Sequence, residues 1–180
     1  MLFRSYQTER TVPAAPQPRR WSLTGQAGIV YDDNVPLRAP GATGPKGSPR
    51  TFQSLWGGYD FVQDGGWRLR GEGFAFLGQN LRRSLDDYDQ ITVEAALDLS
   101  YQATLWGMPA RPGLRYAYQP AWEGGREYNQ SHAVTASLVL QPLDDAISYL
   151  YYRFATEDYR DDGLVSRFTS RDLGAGHQAG

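Results

Sequence analysis

The amino-acid sequence predicts an all-β protein, an antiparallel up-and-down transmembrane β-barrel with about 7–8 strands that form an incomplete part of a larger barrel. Three observations predict this fold class. Apolar and polar residues alternate with a period of two, and Gly or Pro interrupts the pattern about every ten to fifteen residues. The composition is also aromatic and polar at once, with 13% Phe, Trp and Tyr and a mean hydropathy of -0.55. That mixture suits strands with one apolar and one wet face.

The N-terminal segment differs from the rest of the chain. Residues 1–20 are polar and contain the proline-rich stretch VPAAPQP, so we predict a linker there. They contain no apolar run of the length that a secretory signal needs. Because an outer-membrane protein needs such a signal, we expect it upstream of this chain. We therefore expect residues 21–180 to be a fragment, a β-barrel meander truncated at its C-terminal end.

The strands follow from the alternation, taken in order. We predict strands at residues 21–31, 51–62, 67–80, 88–102, 112–121, 129–141 and 146–158, and a truncated strand from about residue 169. In two of these segments, 51–62 and 146–158, aromatic residues occur on both faces. Which face of these two strands would contact lipid therefore stays open. Since the last strand is incomplete, we expect a curved sheet with two open edges.

The clearest alternation lies within residues 88–102. Ile91, Val93, Ala95, Leu97, Leu99 and Tyr101 alternate there with Gln90, Thr92, Glu94, Ala96, Asp98, Ser100 and Gln102. A tilted strand of about 9–11 residues crosses a bilayer, whereas strands in soluble proteins average about 5–6 residues. The length of this segment therefore favours a strand that crosses a membrane.

Connections of unequal length separate the strands. Outer-membrane barrels have short periplasmic turns and longer extracellular loops, so we predict extracellular loops at residues 32–50, 81–87, 121–128 and 158–169. Aromatic residues near the strand ends are interpreted as interfacial girdles, although Tyr and Trp are also common in the strands of any β-protein. These residues are Trp21, Tyr31, Phe61, Trp67, Tyr88, Tyr101, Tyr118, Trp122, Tyr128 and Tyr159.

Several segments carry a family resemblance. The chain contains AGIVYDDNV before a Gly/Pro-rich loop, then LWGGYDF, GLRYAYQPAWEGGREYNQSHAVTASLVL and RDLGAGHQAG. Across about residues 21–180 it resembles the C-terminal outer-membrane β-barrel domain of tetratricopeptide-repeat outer-membrane proteins, a group that includes the surface lipoprotein assembly modifiers. The resemblance implies a Gram-negative outer membrane and a porin-like or translocation role.

The candidate functional residues are charged side chains opposite the apolar faces. They are Arg68, Arg70, Glu72, Glu94, Asp98 and Arg115. In a closed barrel they would line the lumen, where water and cross-strand pairing satisfy charges that lipid cannot. In a soluble β-sandwich the same alternation would make them solvated charges on the outer face, and this alternative stays open.

Other polar groups indicate little chemistry. His132 and His177 have no cysteine beside them, so we predict no metal site and no cofactor. We predict no catalytic residues and no enzyme activity, since no GxSxG context and no phosphate-binding glycine loop occur. Four acidic pairs lack the interleaved spacing of a calcium site and are interpreted as solvated loop acids: Asp32-Asp33, Asp86-Asp87, Asp144-Asp145 and Asp161-Asp162.

The sequence thus predicts a non-enzymatic protein of the bacterial outer membrane that forms part of a pore or translocation channel. Its expected partners are outer-membrane lipid and a solute or an exported protein cargo, and the net charge of -2 indicates no nucleic-acid partner. One alternative is a soluble lipocalin-like barrel that binds a small apolar ligand, and another is an outer-membrane enzyme. Strand facing separates the outer-membrane barrel from the lipocalin-like barrel. A membrane barrel turns residues such as Ile91 and Leu97 outward, whereas a lipocalin turns them inward.

Overall fold

The computed structural model describes residues 19–33, 47–143, 146–161 and 164–179, and most of the predicted linker lies outside these ranges. Antiparallel strands dominate them, which confirms the predicted all-β, up-and-down fold class. Within these ranges, no helix is long and apolar enough to cross a membrane. The strands are β1 (Trp21–Asp32), β2 (Ser48–Asp64), β3 (Trp67–Asn80), β4 (Gln90–Tyr101), β5 (Ala103–Leu105), β6 (Met108–Glu123), β7 (Arg126–Leu143), β8 (Ala146–Asp161) and β9 (Leu164–Ala179).

The long strands form one meander in which each pairs with the next along the chain. The order is β1-β2-β3-β4-β6-β7-β8-β9, and the short β5 pairs with the start of β6. Strands joined by short connections pair antiparallel, which explains the simple order. In the described ranges no pairing joins β1 to β9, so the sheet has the two open edges that the sequence predicts.

Two tight turns consist of glycine pairs. Gly65 and Gly66 join β2 to β3 with φ values of 56° and 85°, and Gly124 and Gly125 join β6 to β7 with 56° and 78°. A two-residue hairpin turn with positive φ at both positions matches the twist of the flanking strands, and glycine adopts it without strain. These turns allow strand pairing to continue to the ends of both hairpins.

Two of the predicted loops are wrong. In place of a loop at 121–128, β6 and β7 are separated by a two-residue turn, and in place of the loop at 158–169 the strands β8 and β9 continue. Cross-strand ion pairs hold these polar strand ends together. Arg167 Nε lies 2.7 Å from Asp158 Oδ1, and Arg160 Nη1 lies 2.5 Å from Glu127 Oε2. Polar composition indicated loops, whereas opposite charges on neighbouring strands stabilise a sheet in water.

The other two predicted loops contain different structures. The loop at 32–50 lies partly outside the described residues, and β2 already begins at Ser48. The loop at 81–87 contains a 3-10 helix, Arg83–Tyr88. Leu85 of this helix is 2% exposed, and its carbonyl oxygen accepts a hydrogen bond from the Asn80 side chain. The helix is therefore anchored to the end of β3.

Strand register divides the side chains between two faces, which we call the apolar face and the polar face. Many large side chains of the apolar face are at least 38% exposed. They include Leu23, Ile29, Leu55, Ile91, Val93, Leu97, Leu99, Leu114, Tyr116, Val134, Leu150, Tyr152, Phe154 and Leu173. Residues of the polar face that are at most 8% exposed include Ser48, Ser54, Asp60, Asn80, Ala96, Ser100, Ala117, Ser131, Ala133 and Ala155. Close packing is thus concentrated on the polar face.

Candidate functional site

One line of paired residues crosses the polar face from β2 to β9, and we call it the charged row. In register order it contains Asp60, Arg70, Asp98, Arg115, Thr135, Arg153 and Asp172. Residues directly opposite each other on antiparallel strands have Cβ atoms about 4.5–5.5 Å apart, so opposite charges there attract. Acidic and basic residues alternate from β2 to β6, and an Arg-Asp pair follows on β8 and β9.

Asp60 contacts two arginines of β3, just before a β-bulge in β2. Arg70 is the register partner of Asp60 and Arg68 lies two residues from Arg70, so both lie on the same face as Asp60, and the register shifts only between Asp60 and Val62. Arg68 donates to both oxygens of the Asp60 carboxylate, from Nε at 2.8 Å and from Nη2 at 3.2 Å. Arg70 Nη1 donates to Oδ1 at 3.3 Å. Because the Asp60 side chain is only 5% exposed, these contacts offset its desolvation.

Glu72 links this cluster to the next one. Its carboxylate accepts from Arg70 Nε at 3.2 Å and lies 3.5 Å from Arg115 Nε. Arg115 also donates from Nη2 to Glu94 Oε1 at 2.5 Å. A continuous ion-pair network therefore extends across β2, β3, β4 and β6, and it includes both charged-row residues and their neighbours.

Buried alanines lie beside the charged row. Ala96, Ala117, Ala133 and Ala155 are register partners on β4, β6, β7 and β8, and each is at most 8% exposed. Arg115 crosses this alanine row to reach Glu94, which lies two positions along β4 from Ala96. A larger side chain in the row would collide with the long polar chains above it. The four small alanines therefore leave the space in which the long side chains of the ion-pair network lie.

All six charged residues that the sequence singles out lie on the polar face. Five of them contact one another or Asp60 directly, and Asp98 occupies the charged row between Arg70 and Arg115. The sequence reasoning missed Asp60, Arg153 and Asp172. Asp60 lies in the predicted strand 51–62, where aromatic residues on both faces left the facing open. Arg153 lies in a strand with aromatics on both faces.

An aromatic pair lies next to the network on the polar face. The rings of Trp56 and Phe74 have centroids 5.2 Å apart and planes tilted by 33°. They border a recess of about 390 Å³ that is open on one side. The recess is also lined by Ser22, Thr24, Arg70, Glu72, Glu94, Arg115 and Gln119.

The two histidines lie on the apolar face and far apart along it. His132 Nδ1 is 2.8 Å from the Tyr116 hydroxyl, and His177 Nδ1 is 2.9 Å from Ser148 Oγ. Within the described ranges no group of three or more His, Cys, Asp or Glu residues could hold a metal ion. Of the four acidic pairs, Asp144-Asp145 and Asp162 lie outside the described residues.

No family model, curated protein or solved structure matches this chain. The fold and site define its class as an antiparallel β-meander with one exposed apolar face and one charged face. The resemblance to outer-membrane barrels with tetratricopeptide repeats stays a prediction from the sequence.

Proposed function

We propose that this chain forms part of the wall of a non-enzymatic outer-membrane β-barrel in a Gram-negative bacterium, with the apolar face towards lipid and the polar face towards an aqueous lumen. A solute or an exported protein would pass along that lumen. The observation that carries the proposal is the contrast between the faces, since many large apolar side chains of one face are exposed and most buried side chains are polar or small ones of the other face.

The exposed apolar face needs a partner. On β4, Ile91, Val93, Leu97 and Leu99 are 43%, 38%, 52% and 41% exposed. Removing such a side chain from water is favourable by about 1.5–3 kcal/mol when burial is complete. Soluble monomers rarely expose contiguous apolar patches larger than a few hundred Å², yet here the apolar face continues across the long strands. Lipid tails would cover all of it without a second protein layer.

The height of the apolar face fits a bilayer. From Ile91 to Tyr101 the chain advances about ten steps of roughly 3.4 Å, or about 34 Å. A tilt of about 40° reduces this to roughly 26 Å, close to the apolar band of about 25 Å on outer-membrane barrels. Aromatics flank the band on the same face: Trp67 and Tyr101 have ring centroids 4.7 Å apart at one end, and Trp122 pairs with Ile91 at the other.

The polar face requires water on its side of the sheet. Ionised side chains facing hydrocarbon are costly, whereas a lumen hydrates the outer groups of an ion-pair network. Glu72 and Arg115 have side chains that are 38% and 33% exposed, so the network is open to solvent on that face. We place β1 and β9 where further strands would complete the barrel.

Single cysteines on β4 test the proposal, because the chain has no cysteine of its own. Val93→Cys lies on the apolar face and Thr92→Cys, its matched neighbour, on the polar face. In outer-membrane vesicles, we expect the Val93→Cys thiol to resist a water-soluble maleimide and the Thr92→Cys thiol to react. A fluorophore at position 93 should be quenched by nitroxide lipids. Protection of position 93 from the maleimide without quenching by nitroxide lipids would favour the soluble lipocalin-like alternative, and rapid maleimide reaction at 93 would contradict the proposal.

A further inference from the structure

Trp56 has an unusual position among the tryptophans. All five lie in the described part of the chain; Trp21, Trp67 and Trp122 are on the apolar face and Trp106 is in the β5–β6 turn. Trp56 instead lies on the polar face beside Phe74 and is 41% exposed. A large aromatic surface left open towards water favours a ligand with an apolar face of its own.

The rim of the recess supplies the opposite kind of contact. Glu94 is the register partner of Phe74, and Arg115 bonds to Glu94 across the alanine row. The Glu94, Arg115 and Glu72 side chains keep exposed fractions of 23%, 33% and 38%. Carboxylates offer only acceptors and a guanidinium offers only donors, so the rim presents both kinds of hydrogen-bonding group within a short span.

The charges in the recess also restrict the ligand class. Arg70 and Arg115 are balanced by Glu72 and Glu94, with which they form ion pairs. Groups that already offset each other create no strong field for a cationic or anionic ligand, but they still bond to hydroxyl groups. The volume of about 390 Å³ lies at the small end of the range for ligand pockets, about 300–1,000 Å³.

We infer that this recess binds a neutral, hydroxyl-rich ring compound, a saccharide unit, whose apolar ring face stacks on Trp56 and Phe74. The ring hydroxyls bond to Glu72, Glu94 and Arg115 around it. Arg70, with a side chain only 15% exposed, positions Glu72 rather than contacting the saccharide. The inference rests on the proposed function in one respect, since the polar face must be open to water in the assembled protein.

Calorimetry on the purified protein in detergent micelles tests this, with maltotriose and cellotriose as probes and sorbitol as an open-chain polyol control. We expect saturable binding of at least one trisaccharide and none of sorbitol. Trp56→Ala should weaken binding at least tenfold, and Glu94→Gln, which keeps the shape of the side chain, should weaken it severalfold. Trp21→Ala, on the apolar face, should leave the affinity unchanged.

Several outcomes would overturn the inference. They are the absence of saturable binding by either trisaccharide, equal binding of sorbitol, and unchanged affinity in a folded Trp56→Ala variant. If Trp56→Ala does not fold, as judged by circular dichroism, Phe74→Leu replaces it with the same expected loss. The labelling of positions 92 and 93 is independent of these results. Lipid protection without saccharide binding would therefore refute this inference alone, and saccharide binding without lipid protection would refute the membrane proposal alone.

Discussion

Two ion pairs on the polar face should differ strongly in their contribution to stability. Arg68 and Asp60 make two hydrogen bonds at 2.8 and 3.2 Å, and the Asp60 side chain is 5% exposed. Arg153 and Asp172 make one contact at 3.3 Å, with side chains 36% and 52% exposed. A hydrogen bond to a charged group contributes about 1.5–3 kcal/mol. Since the Arg68 side chain is 36% exposed, solvent screening reduces the expected coupling of the first pair to about 2 kcal/mol. The second pair should contribute about 0.5 kcal/mol.

Two double-mutant cycles measure these couplings. One combines Asp60→Ala with Arg68→Ala, and the matched cycle combines Asp172→Ala with Arg153→Ala. Each cycle separates the pairwise term from the loss of other contacts, such as that between Asp60 and Arg70. The free energy of unfolding would be measured by urea titration of the protein in lipid vesicles, followed by tryptophan fluorescence. Equal couplings for both pairs, or a larger one for the exposed pair, would refute the link between burial and strength.

Three further predictions concern the buried alanine row, the glycine turn between β2 and β3, and the ion-pair network. Ala155 is 0% exposed, so Ala155→Leu should lower the free energy of unfolding by about 1–3 kcal/mol. The control Ala95→Leu, on the exposed apolar face, should change it little. Equal urea midpoints for the two variants would contradict this prediction. Gly65 has a φ of 56°, so Gly65→Ala should lower the free energy of unfolding by about 1–2 kcal/mol in the same titration. Gly73→Ala should not lower it, because the new Cβ would meet only the Glu94 carbonyl oxygen, at 3.9 Å. An equal loss of stability in both variants would refute the role of φ. Arg115→Gln removes a positive charge from the proposed lumen and should increase the cation-to-anion permeability ratio in planar bilayers, measured from the reversal potential in a salt gradient; an unchanged ratio would argue against a lumenal Arg115.

The sequence predicted β4 well because nothing interrupts its alternation. Residues 91–101 all pair with β3 and most of them also pair with β6, and neither pairing shifts register there, so a period of two along the sequence remains a period of two in space. The charged residues of β3 and β6 followed from the same regularity. Where a strand contains a β-bulge, as β2 does after Asp60, the residues beyond the bulge change face. Counting every second residue then no longer predicts which face a side chain occupies.

Aromatic residues on both faces of β8 have an explanation that the local sequence does not contain. A Cβ atom added at Gly174 or Gly176 on β9 would collide with the ring of Tyr151 or Tyr149. The two tyrosines therefore lie over glycines of the next strand, on the polar face, as aromatic side chains do when they cover cross-strand glycines. This arrangement depends on register between segments about 25 residues apart, as does the alignment of the four buried alanines.

Spin-label scanning of β4 tests most directly which face of the sheet contacts lipid and which contacts water. Single cysteines at positions 91–100 would each carry a nitroxide, and the accessibility of each to lipid-soluble oxygen and to water-soluble nickel-EDDA would be measured in outer-membrane vesicles. We expect both profiles to have a period of two and to be out of phase, with oxygen highest at odd positions such as Val93 and Leu97 and nickel highest at even ones. Profiles that are in phase, or oxygen maxima at even positions, would contradict a lipid-facing apolar face.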